Sequence, residues 1–103
     1  MEVFCKMNIK IKPFMGIKKV MRDNDEIDID IEGNITLIEM LNKLSQKYGE
    51  DLRNLLFEEK TDKIRDHYNI LVNGRQYQHL SKQLDTELND GDVLAIFPPA
   101  GGG

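Results

Sequence analysis

The sequence predicts an α+β fold, in which a mixed sheet of four to five strands carries one main helix on one face. Three observations predict this class: two early segments that alternate apolar and polar residues, one segment of helical periodicity, and an apolar strand near the end. The 103 residues suffice for one hydrophobic core. We therefore expect a single domain over residues 1–99 and a flexible tail over residues 100–103.

The first two strands are predicted from period-two alternation. Apolar side chains occupy the odd positions of Val3–Ile11, and isoleucines alternate with carboxylates over residues 26–32. Lys10 and Lys12 would face those carboxylates across an antiparallel pair. The intervening segment around Gly16 is predicted to be the loop of this hairpin.

The main helix is predicted to start at a capping box formed by Thr36 and Glu39 and to end at Tyr48-Gly49. An apolar stripe at helical spacing would face the sheet. Its residues are Leu37, Ile38, Met40, Leu41 and Leu44. The segment Asp51–Phe57 fits either another helical turn or an irregular stretch packed on the sheet. The charged run Glu58–Asp66 is predicted to be a solvated loop.

Three further strands complete the predicted sheet. Asn73-Gly74 is a strong signal for a two-residue turn between the strand Tyr68–Val72 and a short strand, Arg75–Gln78. Asp90-Gly91-Asp92 makes a turn into Val93–Phe97, whose nearly continuous apolar residues suit the middle of a sheet. Hairpin, helix and further strands in this order fit the β-grasp arrangement, in which the first and last strands lie side by side in parallel.

Composition argues against several classes of protein. No apolar run reaches the length of a membrane helix and no secretory signal is evident, so we expect a cytoplasmic protein that does not bind a membrane. The formal net charge of −4 argues against a nucleic-acid partner. Cys5 is the single cysteine and His67 and His79 are far apart, so no disulfide and no metal site are expected. Cys5 is instead expected to be a buried structural residue of the first strand.

The last residues carry the most informative pattern. Phe97 is followed by Pro98-Pro99, Ala100 and the glycines 101–103. Proline lacks an N–H and so ends the strand, while glycines make the narrowest peptide that can enter a channel. We expect the terminal carboxylate to be the functional group. Phe97 is either a core residue or a partly exposed anchor for a partner.

These residues resemble a known family. The strand Met7–Ile11, the helix capped by Thr36, the segment Ile70–Gly74 and above all Leu88–Gly102 look like the MoaD/ThiS family of ubiquitin-like sulfur carriers. The prolines and the chain length resemble the molybdopterin synthase small subunit (MoaD-like) more than the thiamine carrier. The resemblance implies a β-grasp (ubiquitin-like) fold.

The resemblance also implies a chemistry. An E1-like adenylyltransferase (MoeB/ThiF-like) would use ATP to adenylate the terminal glycine, and sulfur transfer would then give a thiocarboxylate. In the molybdopterin branch, the acceptor is a cyclic pterin phosphate on the large synthase subunit (MoaE-like), which supplies the rest of the active site. The chain would be no enzyme by itself and would hold no tightly bound cofactor.

The number of glycines departs from the family pattern. Family members usually end in two glycines where this chain has three, so the reactive carbonyl lies at Gly102 or Gly103, with Gly103 expected. The implied tail and partner-binding residues are Phe97, Pro98, Pro99, Ala100 and Gly101. A ubiquitin-like protein modifier, a sulfur carrier for thiamine or tRNA thiolation, and an inert ubiquitin-like interaction module remain open alternatives.

Overall fold

The computed structural model describes residues 6–58, 60–61, 63–65 and 68–98. The strands are β1 (Lys6–Pro13), β2 (Ile27–Glu32), β3 (Asn69–Val72), β4 (Arg75–Gln76) and β5 (Val93–Phe97). The α-helices are α1 (Gly16–Val20), α2 (Leu37–Tyr48) and α3 (Glu50–Leu56). Two short 3₁₀ helices, Tyr77–His79 and Gln83–Asp85, lie between β4 and β5.

The five strands form one sheet in the order β2-β1-β5-β3-β4. β1 runs antiparallel to β2 and parallel to β5, and β5 runs antiparallel to β3. The parallel pair of first and last strands confirms the predicted β-grasp arrangement. It also places the end of β5 in the middle of the sheet.

The core lies between the sheet and the helices, as the alternation predicts. Met7, Ile9 and Ile11 of β1 are buried, and so are the isoleucines of β2. Val3 and Cys5 lie outside the described residues. On the helical side, the stripe of α2 is buried except for the half-buried Ile38.

The predicted capping box is present at the start of α2. The Thr36 hydroxyl accepts from the N–H of Glu39 at 3.3 Å, and the Glu39 carboxylate accepts from the N–H of Thr36 at 2.9 Å. After Gly49, with φ of 93°, α3 begins at Glu50. The open choice for the segment Asp51–Phe57 is therefore resolved as a helix for all but its last residue.

The prediction that a loop joins β1 and β2 is wrong in part, because residues Gly16–Val20 form α1. Ile17 and Met21, one helical turn apart, are both fully buried and hold the segment against the core. A helix of 5 residues is too short to produce a periodic sequence signal.

Two smaller differences concern the second half of the chain. Ile64, in the run predicted to be solvated, is buried and forms an antiparallel bridge with Phe57. β4 ends at Gln76 rather than Gln78, because the chain turns there into a 3₁₀ helix.

The predicted Asn73-Gly74 turn is present, with φ of 53° and 85° at its two residues.

Candidate functional site: the exit of the last strand

The structure follows the chain to Pro98, one residue beyond the end of β5. Pro99, Ala100, Gly101, Gly102 and Gly103 lie outside the described residues, so the expected role of the terminal carboxylate stays a prediction. The described residues at the exit of β5 belong to the ends of β1 and β5, the start of β3 and Pro98.

An aromatic pair marks this exit. The rings of Phe14 and Phe97 stack with their centroids 4.2 Å apart and their planes 6° apart. The N–H of Phe14 donates to the C=O of Ile96 at 3.1 Å, which extends the pairing of β1 with β5 by one residue. Phe97 is thus half-buried. It contacts Phe14 as a structural residue and also leaves part of its ring exposed at the exit.

Phe14 and its neighbour Met15 expose apolar surface at this exit. Phe14 is 36% exposed and Met15 is 73% exposed, and these are the exposed large hydrophobic residues of the described chain. Sequence analysis did not identify either of them as a site residue. The available signal was two large apolar residues directly after Pro13, where the alternation of β1 ends. Such residues are typical of interaction sites when they gather next to a functional segment.

A strip of small and apolar side chains leads from this corner across the sheet face that the helices leave open. Ile96 is fully buried on the helical side, so alternation puts Ala95 and Phe97 on the open side, where both are half-buried. Leu71 of β3 pairs with Ala95 from one side and Lys12 of β1 pairs with it from the other. An apolar strip beside Lys12 suits a protein partner that presents apolar side chains and a carboxylate.

A polar network fixes the start of β5. Asp92, only 9% exposed, accepts from the Asn73 side-chain amide at 2.9 Å and from the N–H of Asn89 at 2.7 Å. The Asp90 carboxylate accepts from the N–H of Asn8 at 2.8 Å. Sequence analysis identified this segment only as a turn. The Asp90 carboxylate also ties this turn to β1, the parallel neighbour of β5, while the Asp92 carboxylate ties it to the turn after β3.

The shifted pKa values belong to structural groups. Glu26, 3.0 Å from Lys10, raises the pKa of the Lys10 ammonium through a hydrogen bond and its charge. Burial raises the pKa of Tyr68, and the charge of Arg65 opposes the shift. None of these groups forms a pair poised for acid–base chemistry.

The described residues contain no cluster of three or more His, Cys, Asp or Glu side chains able to hold a metal ion. His79 is exposed, whereas Cys5 and His67 lie outside the described residues. No helix in that part of the chain has the length and hydrophobicity needed to cross a bilayer.

The ThiS family profile matches residues 15–103. The chain belongs to the ThiS family. It is 30% identical over 97 residues to small archaeal modifier protein 3 of Haloferax volcanii, an alignment that covers 94% of this chain and 100% of that protein. This result confirms the family that the sequence resembles.

Solved structures agree with this assignment. Small archaeal modifier protein 1 of Methanosarcina acetivorans superimposes with a TM-score of 0.78 at 29% identity, covering 96% of this chain and 99% of that one. A Pyrococcus furiosus protein, provisionally named molybdopterin converting factor subunit 1, gives a TM-score of 0.68 at 28% identity, with 91% and 99% coverage.

These ThiS-family relatives include two named as modifiers and one named as a subunit of a converting factor. An Archaeoglobus fulgidus protein provisionally named as a sulfur carrier is 32% identical over 78 residues, which cover 76% of this chain and 84% of that protein. Together these relatives show that this chain is of the sulfur-carrier and ubiquitin-like modifier type. The name of the Pyrococcus protein describes it as a subunit, which is a protein that acts together with a partner.

Proposed function

We propose that this chain is a sulfur carrier whose Gly103 carboxylate is adenylated by an E1-like enzyme and converted to a thiocarboxylate. One observation carries the proposal: β5 ends at the centre of the sheet, beside exposed apolar surface, directly before the prolines and glycines. The family match extends through that glycine run to residue 103, which supports the same assignment.

The chemistry needs little from the chain itself. A carboxylate is a poor electrophile, so its oxygen would attack the α-phosphorus of ATP and release pyrophosphate, which gives an acyl adenylate. A sulfide equivalent would then attack the carbonyl carbon and displace AMP. The resulting thiocarboxylate is the group that donates sulfur. In this proposal the activating enzyme supplies every catalytic side chain, and the reaction takes place in the cytoplasm.

The surface around Phe14 supplies the binding energy in this proposal. The partner would cover Phe14 and Met15 while the glycines extend into its active site, with Pro98-Pro99 as a stiff connection. Gly103 is the proposed reactive residue, and Gly102 takes that role if the last residue is removed by processing.

For the sulfur acceptor we propose a cyclic pterin phosphate, bound by the large subunit of molybdopterin synthase (MoaE-like). The similarity to the Pyrococcus protein supports this branch. The second candidate function is a ubiquitin-like protein modifier, in which a target lysine attacks the activated carbonyl. The 30% identity to small archaeal modifier protein 3 favours that candidate.

Reconstitution separates the two candidates. The thiocarboxylated chain is mixed with the large synthase subunit and the pterin precursor, and in parallel with a cell extract and the activating enzyme. Sulfur transfer to the pterin, with return of the carrier to its carboxylate mass, is the expected result. Lysine-linked conjugates in the extract, without transfer to the pterin, would overturn the carrier proposal in favour of the modifier.

A further inference from the structure

The outer edge of β2 is the longest unpaired strand edge in the described part of the sheet. β2 lies at one end of the strand order, and β4 at the other end has 2 residues. The N–H of Lys10 points towards β5, because it donates to the C=O of Asp92. Successive residues of a strand direct their main-chain groups to opposite sides, so Ile9 directs its N–H and C=O at β2, where it pairs with Ile29. The alternate residues Asp28 and Asp30 therefore direct their main-chain N–H and C=O groups outward.

A groove follows this edge between β2 and α2. Two adjoining cavities, of about 710 and 520 Å³, form it and share Asp30, Lys43 and Gln46 in their linings. Ile31 lies on the strand side and Lys47 on the helix side. A strand laid along β2 would place alternate side chains over this groove.

The two sides of the edge carry opposite charge. Asp28 and Asp30 are exposed and alternate with the buried isoleucines, so they project on the open face of the sheet. Lys43 and Lys47 are exposed on the helical side of the groove. Glu39 lines only the larger cavity, where its carboxylate caps α2 through Thr36. Because alternate side chains of a strand point to opposite faces, a strand added along Asp28 and Asp30 would meet these carboxylates on one face and the ammonium groups of Lys43 and Lys47 on the other.

β1 shows which pattern fits the carboxylates of β2. Lys6 and Lys10 pair in register with Glu32 and Asp28, while Met7 and Ile9 between them point into the core. The same alternation on the outer side would satisfy both faces: basic side chains opposite the carboxylates, and aliphatic ones over the groove. A basic residue over the groove would be repelled by the lysines of α2.

We propose that the β2 edge binds an extended segment of a partner protein as an added strand, with lysine or arginine alternating with short aliphatic residues. Its main chain would bond to the outward N–H and C=O groups of Asp28 and Asp30. A second copy of β2 is a poor occupant, because self-pairing would set carboxylates opposite carboxylates. β1 separates this edge from the exit of β5, so the proposal does not depend on the sulfur-carrier function.

The probe is a capped peptide of alternating lysine and valine, and the control is a peptide with the same composition arranged as a lysine block and a valine block. The expected result is tighter binding of the alternating peptide, with slowed hydrogen exchange at the amides of Asp28 and Asp30. Equal affinity for both peptides, or exchange protection located elsewhere, would overturn the proposal. So would a stable dimer of the free protein with protection at this same edge.

Two kinds of variant distinguish the contribution of side-chain charge to peptide binding from that of main-chain hydrogen bonds. Asp28→Asn combined with Asp30→Asn should weaken binding roughly two- to thirtyfold, since two cross-strand charge pairs are lost. Asp28→Pro removes an outward N–H, which an edge strand tolerates. It should therefore weaken peptide binding more than Asp28→Ala does. Equal affinities of Asp28→Pro and Asp28→Ala, with an unaltered amide spectrum elsewhere, would contradict strand addition.

Discussion

The rings of Phe14 and Phe97 stack almost parallel, with centroids 4.2 Å apart, although the two residues lie far apart in the sequence. The contact exists because β1 and β5 run parallel and end at the same edge of the sheet. It holds the base of the tail against the start of α1, where Met15 is exposed. The aromatic pair is therefore both a structural contact and part of the proposed partner-binding surface.

The stacking should be measurable as a coupling between the two rings. In a double-mutant cycle, Phe14→Ala and Phe97→Ala should show a coupling free energy of about 0.5–1.5 kcal/mol in denaturant unfolding. Phe14→Leu keeps apolar area without the ring and serves as the matched control. Additive effects of the two alanine substitutions would show that the rings do not stabilise one another.

Met15 should contribute to partner binding but little to folding. Its side chain is 73% exposed, so Met15→Gln should change the free energy of unfolding by less than about 0.5 kcal/mol. The same substitution should raise the KM of the activating enzyme for this chain while kcat is retained, because it removes contact area rather than a reacting group. Glu50→Gln, at the exposed start of α3, is the control. An unchanged KM would place the docking surface elsewhere.

Asp92 should be important for stability. Asp92→Ala leaves the N–H of Asn89 and the Asn73 amide without their acceptor, at a cost of about 1–3 kcal/mol. Chemical unfolding measures the loss, and hydrogen exchange should show it first at the end of β3 and the start of β5. Asp85→Ala, an exposed carboxylate in the second 3₁₀ helix, is the control. A loss no larger than that of Asp85→Ala would mean that the network is not stabilising.

The Lys18–Asp25 ion pair should give a small acid-dependent effect. Lys18 lowers the pKa of Asp25 through a hydrogen bond and its positive charge. A carboxyl whose folded pKa is depressed stabilises the fold above its unfolded pKa, and that contribution disappears as the pH falls through the folded value, below about pH 4. NMR titration should show the Asp25 pKa returning towards its ordinary value in Lys18→Gln. The same pKa in both proteins would show that the pair does not form in solution.

Much of the fold could be predicted from the sequence because its signals are local. The alternation of β1 and β2, the Thr36–Glu39 capping box and the Asn73-Gly74 turn each act within a few residues of the chain. The parallel neighbours β1 and β5 followed from the order of elements. These features placed the exit of β5 correctly.

The remaining features depend on tertiary contacts. α1 is held by the burial of Ile17 and Met21, and Phe14 gains its role from a ring at the other end of the fold. Neither relationship has a local sequence pattern. The hydrogen-bond network at Asp92 could not be predicted for the same reason, since its partner Asn73 lies in another turn.

The central claim is that the terminal carboxylate of Gly103 accepts sulfur. The most direct test is the intact mass of the full chain after incubation with its activating enzyme, ATP and a sulfur donor, beside a variant that lacks Gly102 and Gly103. We predict replacement of one oxygen by sulfur, located by fragmentation at Gly103, and no change in the shortened chain, whose fold stays intact by circular dichroism. An unchanged mass of the full chain, with an enzyme that adenylates another carrier in the same assay, would contradict the claim.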